Sequence, residues 1–276
     1  MLTDYHLHLR PDDLDASAEE YFSAANVERY RSVAQEHGIL ELGCAEHVYR
    51  FAQALEVWRH PLWREYARDD LDFYVGFVRE ETDLRLGIEA DFIVGSEDRM
   101  ATLLQAHDWD FVVGSVHFVG EHAVDHDGYE IWDHRSQRPD ELWRRYFQTL
   151  GEAARSGLFD ILAHPDLVKY WGSGRPVPEG DLRRYYELAM DGIAESQIAI
   201  ELSTAGLRKP AAELYPAPAF LEMCLDAGCP VALSSDAHVP QDVGRDYEAA
   251  LELLERIGVG ELAVFEHRER RLEPIG

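Results

Sequence analysis

Two apolar patterns alternate along the chain. Short runs rich in aliphatic and β-branched residues stand at Thr3–Leu9, Leu40–Glu46, Leu84–Ile93, Phe111–Phe118, Ile161–His164, Ile198–Ser203 and Val231–Ser235. Near-continuous apolar runs of this kind are the form taken by strands buried on both faces. Between them apolar residues recur at helical spacing, in Val27–His37, Glu97–Ala106, Glu141–Ser156, Leu182–Glu195, Ala217–Ala227 and Tyr247–Ile257. Gly38, Gly157 and Gly228 each follow a helical run, where a left-handed residue commonly ends a helix. Seven strands joined by helices predict a parallel sheet, either a closed barrel or an open doubly wound sheet. No Gly-x-Gly-x-x-Gly follows the first strand, so the dinucleotide-binding version loses support. No composition break marks a linker, and 276 residues is a normal length for one α/β barrel. A single domain over 1–276 is therefore expected. Gly172–Gly180 and Val119–Pro139 read as loops; the second is long and rich in His and Asp, as lids and substrate rims often are.

The strands end in polar residues. The first carries His6 and His8, two apart and so on one face. The second ends Cys44-Ala45-Glu46-His47, the third Gly87-Ile88-Glu89-Ala90-Asp91, and the fourth Gly114-Ser115-Val116-His117. The fifth ends Ala163-His164-Pro165-Asp166 and the seventh Ser234-Ser235-Asp236-Ala237-His238. The sixth, Glu201-Leu202-Ser203-Thr204, brings no ligand to its end. In a parallel barrel all these ends lie on one face, where active sites are built. Of 13 histidines six fall there, whereas His37, His60, His107, His122, His126, His134 and His267 scatter over helices and loops. Singly, each has a bland reading: His117 as a hydrogen-bonded core residue, Glu46 as a helix-start carboxylate, Asp91 as a group that orients a neighbour, Asp166 as an N-cap. Jointly they point to metal. His6, His8, His47, Glu89, His117, His164, Asp236 and His238 offer nitrogen and oxygen donors without thiolate, which suits zinc, iron or manganese. Eight donors are too many for one ion and suit two or three, with Glu89 as a bridging carboxylate.

Composition narrows the setting. Apolar residues make up 46%, enough for a sizeable core, and no apolar run reaches membrane-spanning length. The N-terminus has no signal-like pattern, and Cys44, Cys224 and Cys229 form no metal spacing and leave an odd count. A reducing, cytoplasmic compartment is expected. The net charge of −27 repels phosphate backbones, which argues against nucleic acid as a partner. A small anionic substrate then requires metals or a few basic residues to reverse the local potential.

The strand-end motifs resemble those of the PHP (polymerase and histidinol phosphatase) superfamily: His6-Leu-His8, Glu46-His47, Gly87-Ile-Glu89-Ala-Asp91, Gly114-Ser-Val-His117, His164-Pro-Asp166 and Ser235-Asp236-Ala-His238. Within it, Ala154-Arg-Ser-Gly-Leu-Phe159, His164-Pro-Asp-Leu-Val-Lys169, Ser203-Thr-Ala-Gly-Leu-Arg-Lys-Pro210 and Tyr215-Pro-Ala-Pro218 resemble the histidinol-phosphate phosphatases. The resemblance implies a distorted (β/α)7 barrel and hydrolysis of L-histidinol phosphate to L-histidinol and phosphate, a step of histidine biosynthesis. By similarity His6, His8, Glu89 and Asp236 serve one ion, Glu89, His117 and His164 a second, and His47 and His238 a third. Relatives usually carry a further His shortly after the first pair; here the chain reads Arg10-Pro-Asp12-Asp13-Leu14-Asp15, so either Asp12, Asp13 or Asp15 substitutes or the third site is weak.

The implied mechanism is attack at phosphorus by hydroxide bridging two ions, with the pKa of bound water lowered by the metal. Arg208, Lys169 and Arg10 are the expected phosphate clamps. Asp236 or His238 is placed to protonate the leaving alkoxide, and Asp125, Asp127 and Glu130 are acceptors for the substrate's amine and imidazole. The alternative is a PHP-type phosphoesterase acting on nucleotides or other small phosphate esters. A closed structural metal site would stop at four ligands, and an amidohydrolase of this kind would carry a strand-end lysine, which is absent.

Overall fold

The computed structural model describes residues 1–129, 131–133 and 138–276. Seven strands form one sheet in chain order: β1 (Leu2–Leu7), β2 (Ile39–His47), β3 (Arg85–Asp91), β4 (Phe111–Ser115), β5 (Ile161–Leu162), β6 (Ala199–Ser203) and β7 (Val231–Ser234). Every neighbouring pair is parallel. Each strand is followed by a helix: α1 (Ala24–Glu36), α2 (Leu71–Glu81), α3 (Glu97–Leu104), α4 (Pro139–Arg155), α5 (Arg183–Ser196), α6 (Pro218–Asp226) and α7 (Tyr247–Ile257). The expected α/β barrel is thus present. Helix α2, unforeseen from the sequence, starts on Asp70, whose side chain accepts from the Phe73 N–H at 2.9 Å. Gly38, Gly157 and Gly228 hold φ values of 68°, 71° and 87°, as helix-ending glycines do.

The barrel closes between β7 and β1 by a short seam. Leu7 bridges Ala237, with the His8 N–H donating to the Ala237 carbonyl at 2.8 Å. Lower down, the buried Asp4 carboxylate accepts from the Ser235 N–H at 3.0 Å. Burial pushes Asp4 up to about 6, against the pull of its Ser235 hydrogen bonds. Small residues line the interior so that Phe111 can cross it: a methyl on Gly87 would lie 2.3 Å from the Phe111 ring. Tyr5 packs on Phe111 with ring centres 5.1 Å apart.

The far end of the barrel is stopped by an antiparallel hairpin, Glu261–Glu266 with Glu269–Pro274, which the apolar pattern did not predict. It inserts Ala263, Val264 and Phe265, all buried, beneath Tyr5 and Phe111. Among the described residues no helix is long and apolar enough to cross a membrane.

Candidate metal centre

Register builds the site. His47 pairs with Glu89 across β2 and β3, so both project to one face. Glu89, 1% exposed, is the hub. Its Oε2 lies 3.3 Å from His6 Nε2 and 3.6 Å from His8 Nε2, and touches His47 Nδ1. Its Oε1 lies 3.1 Å from His164 Nε2 and 3.4 Å from His117 Nε2. Asp236 Oδ1 stands 3.4 Å from His8 Nε2, 3.8 Å from His6 Nε2 and 3.6 Å from His238 Nδ1. Donor atoms within 4.8 Å of one another group as His6–His8–Asp236, His6–Glu89–His164 and His8–His47–His238. All eight residues expected as ligands are gathered.

Several of the donors are unsatisfied: His6 Nε2, both ring nitrogens of His8 and His164 Nδ1 are buried without a hydrogen-bond partner, and His47 Nδ1 and Glu89 Oε2 touch each other. A buried polar atom left this way costs about 1–3 kcal/mol. Several converging on one carboxylate fit divalent cations, because coordination would satisfy them together. Charge is arranged for the same end. Burial alone would raise Glu89, but His47, His6 and His117 hold it well below the usual carboxylate range. Burial likewise opposes ionised Asp236, and His6, His8 and His238 outweigh it, so Asp236 is held as a carboxylate. Burial pushes His47 down to about 3 despite Glu89.

A ring of acids behind the imidazoles fixes their orientation. Glu201 Oε1 meets His6 Nδ1 at 2.7 Å and accepts from the Ser234 hydroxyl at 2.6 Å. Its Oε2 accepts from the His164 N–H at 2.5 Å. Asp91 holds His117 Nδ1 at 2.8 Å. Burial works against a charged His117, yet Glu89 and Asp91 raise it to about 10. Such carboxylate–histidine pairs turn the other ring nitrogen toward a metal. The strand ends are also strained: His164 and Asp236 hold φ values of 24° and 50°, a region costly for non-glycine residues.

The three expected phosphate clamps have other occupations. Arg10 is buried, donating to the Ala16 carbonyl at 2.8 Å and lying 3.3 Å from Asp69. Lys169 is neutralised by Asp166 at 2.8 Å and Glu213 at 3.2 Å, so Asp166 is an ion-pair partner rather than an N-cap. Arg208 donates to the Ser235 carbonyl at 2.6 Å, bracing the strand end that carries Asp236. None of the three lines the cavity of about 260 Å³ that opens over the cluster. Lys209 lines it instead, with Nζ 5.6 Å from the Tyr170 ring centre and no carboxylate in ion-pair range among the described residues. Of the acids in the loop, Asp125 lines the cavity, Asp127 is exposed elsewhere, and Glu130 lies outside the described residues. Of the three acids after His8, Asp12 reaches the cluster, 3.7 Å from His47 and 3.1 Å from His238. Asp13 instead accepts from the Asp15 N–H in an exposed turn.

Glu201 and Arg50 were missed in the sequence. A charge inside the apolar run Ala199–Ser203 must find a buried partner, which was the available signal. Arg50, fully buried, pairs with Glu46 four residues earlier and with Asp12. Glu46 also accepts from the Leu9 and Arg10 N–H groups at 2.7 and 3.1 Å.

Residues 6–205 match the PHP domain family. A probable histidinol-phosphatase from Deinococcus radiodurans is 38% identical over 187 residues, 68% of this chain and 69% of that protein. A crystal structure of histidinol phosphate phosphatase from Lactococcus lactis, complexed with zinc, L-histidinol and phosphate, superposes with a TM-score of 0.68 at 19% identity, covering 98% of both chains. The structure of a putative histidinol phosphatase from Listeria monocytogenes gives a TM-score of 0.71 at 18% identity, covering 90% of this chain and 99% of that one. At those identities the two structures establish the fold alone.

Proposed function

The chain belongs to the PHP domain family, and from that premise we propose that it is a histidinol-phosphatase, hydrolysing L-histidinol phosphate to L-histidinol and phosphate. The observation that carries the chemistry is the convergence of five imidazoles on the buried carboxylate of Glu89, with His6 Nε2 and both ring nitrogens of His8 left without a hydrogen-bond partner. The relative from Deinococcus supports the substrate.

Bound divalent ions supply Lewis acidity toward phosphate oxygens and a water of lowered pKa. The donor set suits two or three ions of zinc, iron or manganese. His6, His8, Glu89 and Asp236 would hold one ion and Glu89, His117 and His164 a second. His47 and His238 would hold the third, with Asp12 standing in for the absent histidine and Arg50 fixing its position.

The remaining residues act on the substrate and on these ligands. Glu201 and Asp91 lock His6 and His117 into the tautomer that offers Nε2 to the cavity. Lys209 supplies positive charge at the cavity wall, where a phosphate oxygen needs it. Arg208 keeps Asp236 in its left-handed conformation by holding the preceding carbonyl. Asp236, kept ionised by its imidazole neighbours, serves as a ligand. His238 is the more exposed of the two, at 23% against 14%, and faces the cavity, so it is the one placed to protonate the departing alcohol when it is not held by the third ion.

The test is phosphate release by the purified protein supplied with manganese, zinc or iron. Histidinol phosphate should be turned over far faster than nucleotides or p-nitrophenyl phosphate. Comparable rates on all three would overturn the substrate and leave a general phosphoesterase.

A further inference from the structure

The cavity over the cluster has a second, chemically distinct end. Tyr49, Tyr66 and Tyr170 supply aromatic lining, and the half-buried Asp125 lines the same cavity as these rings and the cluster. No cation pairs with Asp125 among the described residues, although most arginines of this acidic chain are spoken for by carboxylates or carbonyls. Its position is not that of a loose loop acid. The preceding residue is fastened on both sides: the Val124 N–H donates to the His117 carbonyl at 2.9 Å, and the Val124 carbonyl accepts from Trp171 Nε1 at 2.8 Å. Asp125 is thus tied through one residue to a residue of the cluster. A carboxylate with no cation partner among the described residues, in a cavity shared with tyrosine rings, suits a cation by direct charge and by attraction to the ring quadrupole.

We infer that Asp125 forms a subsite for the primary ammonium group of the substrate, selecting aminoalkyl phosphates over amine-free phosphate esters. The inference rests on the phosphomonoesterase reading above and assigns the half of the substrate that the metal ligands do not touch. Lys209, over the Tyr170 ring and with no carboxylate in ion-pair range among the described residues, complements it. The two charges of opposite sign match a ligand that is anionic at one end and cationic at the other. Asp127, exposed and off the cavity, has no part in it.

The test compares wild type, Asp125→Asn and Asp125→Glu on two matched pairs: histidinol phosphate with its analogue lacking the amine, and aminoethyl phosphate with ethyl phosphate. Wild type should favour the amine-bearing member of each pair. Asp125→Asn should lower that preference about 10- to 100-fold, the worth of one charge-assisted hydrogen bond, chiefly through KM. Asp125→Glu should restore part of it. In titrations of the metal-loaded protein, Asp125→Asn should weaken binding of L-histidinol more than that of inorganic phosphate. An unchanged preference, an equal fall on both members of a pair, or a wild type indifferent to the amine would each overturn the subsite. The substrate reading fails separately: if wild type hydrolyses aminoethyl phosphate as well as histidinol phosphate, that assignment is lost, and the aminoethyl–ethyl pair still decides Asp125.

Discussion

At the C-terminal face of the barrel His164 and Asp236 hold φ values of 24° and 50°; at the opposite end His267 and Arg268 hold 51° and 63°. Both ends therefore contain non-glycine residues in a left-handed conformation that costs of order 1–3 kcal/mol each. What surrounds them differs. The His267–Arg268 turn is docked with its polar groups satisfied: both N–H groups donate to Asp110, at 3.2 and 2.8 Å. The Arg268 guanidinium meets Asp160 at 2.9 and 3.1 Å and the Leu158 carbonyl at 2.8 Å. Beneath that turn lies an apolar plug of Tyr5, Phe111 and Phe265. At the other end His164 Nδ1, His6 Nε2 and both ring nitrogens of His8 are buried without hydrogen-bond partners. Strain that is offset locally marks a structural device. Strain beside unsatisfied donors marks a place kept ready for something else to bind. One end holds the barrel together, and the other spends part of that stability on ligand geometry.

The largest test of this division is Glu89→Gln. The amide keeps the shape but loses the charge shared by the imidazoles. Activity should fall by about 10³-fold or more, because several kcal/mol of metal-dependent stabilisation go with it. Metal content by elemental analysis should fall in parallel, while far-UV circular dichroism remains that of the wild type. Retained metal would remove Glu89 from the hub of the site. Unfolding would show that the two ends are not separable.

The converse change is Phe265→Ala in the plug. Truncating a buried aromatic costs about 3–5 kcal/mol, read as a large drop in the denaturant midpoint. Metal stoichiometry and kcat/KM of the folded fraction should stay within about twofold of wild type, since distant sites act additively. A loss of bound metal comparable to that of Glu89→Gln would break the comparison from the other side.

Sequence patterning reached the two ends unequally, for a physical reason. The candidate ligand face could be assembled because strand ends in a parallel barrel share one side, so His6, His8, His47, Glu89, His117, His164, Asp236 and His238 could be collected without knowing any loop, and the structure gathers them. The plug was not legible. Its second strand, Glu269–Pro274, has an almost fully exposed, charged pattern with no apolar alternation. Its two-residue turn uses His and Arg where Asn and Gly would announce a hairpin. Lys169 and Arg10 were misplaced because a cation near a motif gives no hint of the acids that loops fold onto it, here Asp166, Glu213 and Asp69. Lys209 was not foreseen, and Asp125 could not be chosen over Asp127 and Glu130, because the loops that carry them converge only in three dimensions.

The smallest effect, and the sharpest on mechanism at the plugged end, is Arg268→Ala. Its guanidinium is about one-third exposed, so the ion pair with Asp160 should contribute only about 1 kcal/mol after solvent screening. The sign with pH separates charge from geometry. Burial raises Asp160 above the usual carboxylate range, and Arg268 pulls it back. Without the arginine the folded state holds the Asp160 proton more tightly still, relative to the unfolded chain near pH 4. Stability is then lost as pH rises from the unfolded value through the folded one. The deficit relative to wild type should be small at about pH 4 and complete at neutral pH, measured by denaturant titration at both. An equal deficit at the two pH values would mean that Arg268 matters by holding the Leu158 carbonyl and the strained turn rather than by neutralising Asp160. In that case the plugged end would be offset by hydrogen bonds alone.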